Sequence, residues 1–167
     1  MKCLLVVDVQ EGFITDDTQC LLPKLEKLMC CFDGLIIATK FVNSPNSAFV
    51  NILGWNKLMC VPETDLLKFV WERANYIVNK HGYSGYTDEV AWLLRCHGCD
   101  EVYVAGIDTD CCVLETAVSA FENNIRPIVL ADYCASTGGK ESHDAGLKVL
   151  KRLIGKRNVY YGELNTT

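Results

Sequence analysis

The sequence lacks a long apolar run, and it lacks an excess of basic residues. Its 167 residues contain no apolar stretch of about 18, the length that spans a bilayer as a helix. The apolar run 3–7 is too short for the core of a secretion signal, so we expect a cytoplasmic protein. With 21 acidic and 16 basic residues, the net charge of −5 argues against nucleic acid or an anionic membrane as a partner.

Repeats, low-complexity segments and flexible linkers are missing as well. The length therefore predicts one domain over residues 1–167. Half of the residues are apolar and 22% are charged, which is enough for a packed core and excludes wholesale disorder. Neither the Walker pattern G-x-x-x-x-G-K-[ST] nor a G-x-G-x-x-G after the first strand is present, so we expect no nucleotide cofactor.

Cysteine, by contrast, is abundant, with ten residues. Because the chain is long and carries no export signal, we expect reduced thiols, most of them packed as small buried hydrophobes. Cys96 and Cys99 form a C-x-x-C that closes a predicted helix instead of opening one. This context favours a helix end at Gly98 over a redox or zinc site.

Short apolar runs alternate with stretches of helical periodicity along the chain. Six runs are predicted strands, at 2–7, 34–39, 76–79, 101–105, 126–131 and 158–161. Predicted helices cover 17–32, 48–59, 87–95, 109–122 and 140–154, whereas 66–71 fits a helix or an extended segment. Continuously apolar strands separated by helices indicate a parallel sheet covered on both faces. The predicted fold is α/β: a three-layer α/β/α domain of Rossmann type with an open, six-stranded, mostly parallel sheet.

Ligands of such sheets bind at the carboxyl ends of the strands. Asp8 follows the first predicted strand, Lys80 follows the third, and Cys111 and Cys112 follow the fourth, after Thr109 as a candidate N-cap. A lysine and a helix start favour a thiolate, and a carboxylate can carry a proton to a leaving amine. The trio fits cleavage of an amide-like C–N bond through a thioester. Each residue also has an ordinary structural explanation, and the pattern does not choose between the two cysteines.

Three segments resemble the isochorismatase-like cysteine hydrolases, a family that includes nicotinamidases and N-carbamoylsarcosine amidases. They are LLVVDVQEGF, NKHGYSGY and VYVAGIDTDCCVLETAVSAFENNIRPIVLADYCAS, and their order and spacing match along most of the chain. The resemblance implies a single isochorismatase-like hydrolase domain that acts on a small molecule. It also implies a homodimer or a larger homo-oligomer.

The resemblance assigns a role to each matching residue. Asp8 matches the acidic general base, and Lys80 matches the lysine that supports the thiolate. The family pattern T-D-x-C-V identifies Cys112 as the nucleophile. A cis peptide that does not involve proline is a further family feature, and Ile107–Asp108 is the matching bond. In the family it turns two backbone N–H groups toward the oxyanion, here those of Asp108 and Cys112.

One departure from the family concerns metal. Metal-dependent nicotinamidases carry D-x-H after the second strand, where this chain has Phe41 and Asn43. None of the three histidines lies in this loop. We therefore predict no catalytic metal and no other cofactor, and nicotinamide becomes a poor candidate substrate. Isochorismatases proper lack the cysteine, so Cys112 argues against their vinyl-ether chemistry.

Candidate pocket walls are Gln10, Phe13 and Tyr83, which lie beside the motif residues. The segment 41–75 is expected to form part of the pocket, a subunit contact or both. For three of its aromatic residues we favour a cover for the sheet edge or a subunit contact: Phe49, Trp55 and Trp71. His143, near the start of the last predicted helix, is expected to be structural.

The predicted function is a metal-independent hydrolase of a small amide, ureido or carbamoyl compound. This interpretation expects Cys112 to be unusually acidic. The alternative is a non-catalytic binding or scaffold protein of the same fold. A phospho-receiver domain needs an acidic pair after the first strand, but Val7 and Val9 flank Asp8. A phosphatase of the D-x-D type is disfavoured by Gln10.

Overall fold

A computed structural model describes residues 1–164 and contains one six-stranded sheet. Its strands are β1 Cys3–Val7, β2 Leu35–Phe41, β3 Tyr76–Lys80, β4 Glu101–Ile107, β5 Arg126–Ala135 and β6 Val159–Tyr160. They lie in the order β3-β2-β1-β4-β5-β6, and every neighbouring pair is parallel. The sheet confirms the predicted open α/β fold, with no antiparallel strand pair among the six.

Helices cover both faces of the sheet. They are α1 Leu22–Cys31, α2 Ala48–Asn51, α3 Lys68–Arg73, α4 Asp88–Cys96, α5 Leu114–Glu122 and α6 Gly139–Leu153. On one face Leu5 belongs to an apolar cluster with Leu94 of α4 and Leu150 of α6. On the other face Leu4 clusters with Leu25 of α1. This alternation of strand residues between two cores gives the three layers.

Two predicted helices differ from the structure in their extent. The helix predicted at 17–32 begins only at Leu22, with Pro23 in its first turn. The helix predicted at 48–59 is limited to the four residues of α2, which starts where the Ser47 hydroxyl accepts a hydrogen bond from the Val50 N–H. Gly54, at a φ of +68°, takes the left-handed conformation that commonly follows a helix end. Trp55, which directly follows Gly54, lines the cavity described below.

Strand β5 is longer than predicted because it contains a bulge. Val104 of β4 pairs with Val129, whereas Gly106, two residues on, pairs with Cys134, five residues on. Asp132 directly follows the predicted strand 126–131, but in the structure it lies inside β5. The residues that reach the carboxyl end of the sheet are those after Ala135.

The helix predicted at 109–122 begins as one π-helical turn, Thr109–Val113, which continues into α5. Thr109 is not its N-cap: the threonine is buried, and its hydroxyl lies 2.7 Å from Nδ1 of His143. This bond agrees with a structural histidine. Helix α4 is capped by Thr87, whose side chain accepts a hydrogen bond from the Val90 N–H. No helix within residues 1–164 is long and apolar enough to cross a membrane.

The backbones of the neighbouring strands β1 and β4 come so close at one point that only a glycine fits there. Gly106 has a φ of +131°, and a Cβ atom there would lie 2.1 Å from the backbone oxygen of Val7. We predict that Gly106→Ala lowers the free energy of unfolding by about 3 kcal/mol or more, because backbone must move to admit the methyl group. Urea unfolding measures this change.

Gly82→Ala is the matched control, since nothing lies within 4 Å of a Cβ built at that position. We expect it to change the free energy of unfolding by about 1 kcal/mol at most. Equal effects of the two substitutions would contradict the steric argument.

Candidate active site

The carboxyl ends of three strands bring Asp8, Lys80 and Cys112 together. Asp8 follows β1, Lys80 ends β3, and Cys112 lies in the π turn after β4. All three are buried, with 0%, 2% and 7% of their surface exposed. Lys80 Nζ lies 2.7 Å from Asp8 Oδ2. The three residues of the sequence hypothesis therefore share one interior site.

The Lys80 side chain must cross β2 to reach Asp8, because β2 separates β3 from β1. Phe41 pairs with Lys80 in the β2–β3 register, and its ring centre lies 5.3 Å from the ammonium nitrogen. The ammonium also donates to the backbone oxygens of Gly82 and Tyr83, each at 2.8 Å. A carboxylate, two carbonyls and an aromatic ring thus compensate the buried charge.

The two carboxylate oxygens of Asp8 have different surroundings. Oδ1 accepts a hydrogen bond of 2.7 Å from the Thr39 hydroxyl. Oδ2 makes no aligned hydrogen bond with any described residue, although Lys80 Nζ is in ion-pair contact with it. Oδ2 therefore keeps a lone pair with which it can accept a proton.

The expectation of an unusually acidic Cys112 is wrong. Burial raises the pKa of this thiol well above its ordinary value, and the charge of Asp8 raises it further. Lys80 lowers the pKa of Cys112, but by less than the other two effects raise it. The resting sulfur is consequently a protonated thiol beside a carboxylate and an ammonium group.

The neighbouring thiol differs from Cys112 in its surroundings. Cys111 is half-buried, and burial together with the charges of Asp110 and Asp108 raises its pKa to about 11. Among the described residues, no cation lowers the pKa of Cys111 as Lys80 lowers that of Cys112. The expectation that most thiols are buried is wrong: all ten are free, but five are exposed, namely Cys20, Cys30, Cys31, Cys60 and Cys96.

The turn after β4 is braced by the end of β5. The Ile107–Asp108 peptide bond is cis. Asp108 Oδ1 accepts a 2.6 Å hydrogen bond from the Thr137 N–H, and Oδ2 accepts one of 2.7 Å from the Thr137 hydroxyl. Ser136 donates similarly to Asp110 at 2.5 Å. Thr137 was not predicted as a site residue. Strand β5 extends nearly to it only because of the bulge, and a bulge leaves no periodic pattern in the sequence.

A cavity of about 360 Å³ opens onto Cys112. Its walls are mainly aromatic, and its other lining residues come from the turn after β4 and from the end of β5. The lining comprises Phe13, Phe41, Phe49, Leu53, Trp55, Tyr83, Asp108, Cys111, Cys112 and Thr137. Phe49 and Trp55 thus line the cavity and do not merely cover an edge, whereas Trp71 is 65% exposed and lies elsewhere.

Gln10 does not line the cavity, contrary to expectation. It is fully buried, and its Nε2 donates to the backbone oxygens of Phe41 and Thr64, each at 2.9 Å. Its Oε1 accepts from the Phe41 N–H at 2.7 Å. Gln10 therefore anchors the end of β2 and the segment that follows it, and so positions Phe41. The other two candidate walls, Phe13 and Tyr83, do line the cavity.

The residues at the family's metal positions do not fit a metal ion. Phe41 offers no ligand atom. The Asn43 amide donates to the backbone oxygens of Trp55 and Lys57, and its oxygen accepts from Ser44 and Ser47. In the described part of the chain, no three His, Cys, Asp or Glu side chains are placed to hold a metal.

Solved structures share this fold. An isochorismatase-like hydrolase from Alkaliphilus metalliredigens superposes with a TM-score of 0.81 at 23% identity, over 91% of each chain. N-carbamoylsarcosine amidase from Thermoplasma acidophilum gives 0.77 at 25% identity, over 89% of this chain and 92% of that one. The pyrazinamidase of Pyrococcus horikoshii, solved in complex with zinc, gives 0.80 at 23% identity, over 98% and 99%.

The sequence comparison agrees with the fold. The isochorismatase domain model matches residues 2–157, nearly the whole chain. No curated protein matches the sequence. The chain belongs to the isochorismatase family of hydrolases, as its motifs indicated.

The opposed effects of Asp8 and Lys80 on the thiol lead to a prediction. In a Cys111→Ser background near pH 8, Asp8→Asn should speed alkylation of Cys112 by iodoacetamide about tenfold, because loss of the carboxylate charge lowers the thiol pKa. Lys80→Met should slow the reaction about tenfold, because loss of the ammonium raises that pKa. Peptide mass spectrometry follows the label.

The exposed Cys20 is the internal control and should react at one rate in all these proteins. Unchanged rates at Cys112 would show that neither charge acts on the sulfur.

Proposed function

We propose that this chain is a metal-independent cysteine amidohydrolase that cleaves a C–N bond of a small amide, ureido or carbamoyl compound. Cys112 is the nucleophile, Asp8 is the general base and acid, and Lys80 supports the negative charge that forms. The observation that carries the proposal is the buried Asp8–Lys80 ion pair beside the Cys112 thiol, where the aromatic cavity opens.

The first half of the reaction forms a thioester. Cys112 Sγ attacks the carbonyl carbon while its proton passes to Asp8 Oδ2, the oxygen with a free lone pair. Because the thiol pKa is raised, the proton moves during the attack and not before it. The N–H groups of Asp108 and Cys112 receive the oxyanion. Asp8 then gives the proton to the nitrogen, the C–N bond breaks, and ammonia or an amine leaves.

The second half restores the enzyme. Water attacks the thioester carbonyl carbon and gives one proton to Asp8. The C–S bond breaks, the acid is released, and the sulfur regains a proton from Asp8. Lys80 remains an ammonium throughout, so the site never holds the thiolate or the carboxylate without a counter-charge.

Similarity to known proteins supports this chemistry. One structural relative is an N-carbamoylsarcosine amidase at 25% identity, and others are named as pyrazinamidases or nicotinamidases. A reaction without zinc is supported by the two positions that match the family's metal ligands, because Phe41 has no ligand atom and the Asn43 amide is fully hydrogen-bonded.

Ammonia release from a panel of small primary amides tests the nucleophile. Cys112→Ala should lower the rate by about 1,000-fold or more, and wild type should carry an acyl group on Cys112 in intact-mass spectra. Cys111→Ser is the matched control: this thiol also lines the cavity, but its loss should lower the rate by about tenfold at most, far less than the loss of Cys112. Equal loss in both variants, or turnover by Cys112→Ala, would contradict the assignment.

Asp8→Asn separates thiol reactivity from catalysis. The variant should alkylate faster than wild type and yet hydrolyse amides about 100-fold more slowly or worse, since it cannot shuttle the proton.

Chelation tests metal independence. Dialysis against EDTA, followed by assay with and without added zinc, should leave the rate of ammonia release within about twofold of the untreated enzyme. Activity that EDTA removes and zinc restores would overturn this part of the proposal.

A further inference from the structure

The described lining of the cavity contains an acidic side chain and no basic one. Asp108 is the carboxylate in the lining. Burial raises the pKa of Asp108, the two hydrogen bonds from Thr137 lower it, and the charges of Asp110 and Asp8 raise it further, so the net shift is upward. The nearby Lys80 ammonium is occupied by Asp8 and by two backbone carbonyls. A substrate carboxylate would therefore meet repulsion and find no partner.

Asp108 also retains capacity to bind. Thr137 supplies one hydrogen bond to each of its oxygens, and a carboxylate oxygen has two lone pairs. The Thr137 contacts hold the side chain in one orientation at the cavity wall. A cationic or strongly hydrogen-bonding group in the cavity would meet a fixed carboxylate.

The aromatic walls favour the same charge. Trp55 stands nearly parallel to Phe13, with ring centres 6.2 Å apart and 12° between planes. Phe49 meets Phe41 and Tyr83 edge to face, with ring centres 5.0 Å apart in each pair. The rings that line the cavity therefore stand at several different angles to one another. Ring faces attract cations, and aromatic cages bind quaternary ammonium groups.

We propose that the substrate is a small cationic amide, whose ammonium or alkylammonium group lies among the aromatic side chains near Asp108. The inference rests on the proposed function and adds the charge of the acyl group to it. A neutral apolar group would satisfy the rings but leave Asp108 without a counter-charge. A cation satisfies both, and a cavity of about 360 Å³ admits a molecule of this size.

Charged thiol reagents test the inference without turnover. In the Cys111→Ser protein, Cys112 is modified by trimethylammonioethyl or by sulfonatoethyl methanethiosulfonate, and the exposed Cys20 serves as reference. We expect the cation-to-anion rate ratio at Cys112 to exceed that at Cys20 by about tenfold or more. Asp108→Asn and Trp55→Leu should each reduce the excess at least about threefold. Equal ratios at the two cysteines overturn the inference.

Two amides of the same shape carry the test to catalysis. Trimethylammonioacetamide is positively charged, and 3,3-dimethylbutanamide replaces its nitrogen by carbon. Wild type should hydrolyse the cation with a kcat/KM about tenfold higher or more, and Asp108→Asn should narrow the difference. Equal or faster cleavage of the neutral amide overturns the inference and still supports the hydrolase. Failure of Cys112 to form a thioester with any amide contradicts the hydrolase proposal itself.

Discussion

The Lys80 ammonium and the Asp8 carboxylate are buried 2.7 Å apart at the carboxyl end of the sheet, and the surrounding residues must stabilise both charges. Isolated charges in a protein interior are costly, so each needs further partners. Lys80 finds them in two carbonyls of the loop after β3, and Asp8 finds one in the Thr39 hydroxyl. The lysine must also pass β2, and the ring of Phe41 lies beside it there. The pair thus ties three strands and one loop to one geometry.

The same pair affects the protonation state of Cys112, the proposed nucleophile. A thiol near a lysine and a helix start is expected to ionise easily, but burial and a carboxylate act on Cys112 in the opposite direction and prevail. A neutral thiol with an adjacent proton acceptor is protected from adventitious alkylation and oxidation, since the thiolate is the reactive form. In the proposed reaction, Cys112 becomes reactive only when a bound substrate accepts electrons from the sulfur while Asp8 accepts its proton.

Local sequence signals predicted the sheet and the strand-end positions of Asp8 and Lys80, because buried strands and their termini leave continuous apolar runs. The choice of Cys112 over Cys111 came from the resemblance, since adjacent cysteines look alike in a local pattern. The position of Thr137 depends on a β-bulge, which leaves no periodic pattern in the sequence. The short length of α2 goes with the left-handed Gly54 that follows it, which the apolar periodicity did not show. The thiol pKa was mispredicted because burial is a property of the assembled fold.

This chain has Phe41 at a position where metal-dependent relatives carry a metal ligand, and this difference changes how a substrate can be held. A metal ion orients a ligand through directional bonds, whereas an aromatic ring offers area and a negative face. Gln10 fixes this ring through both backbone groups of Phe41, and it also binds the segment that supplies the other rings. Without a metal, orientation must come from the shape of the aromatic walls and from a charge that they tolerate. Asp108 is the acidic residue in the described lining, and in our proposal it selects the sign of that charge in favour of a cation.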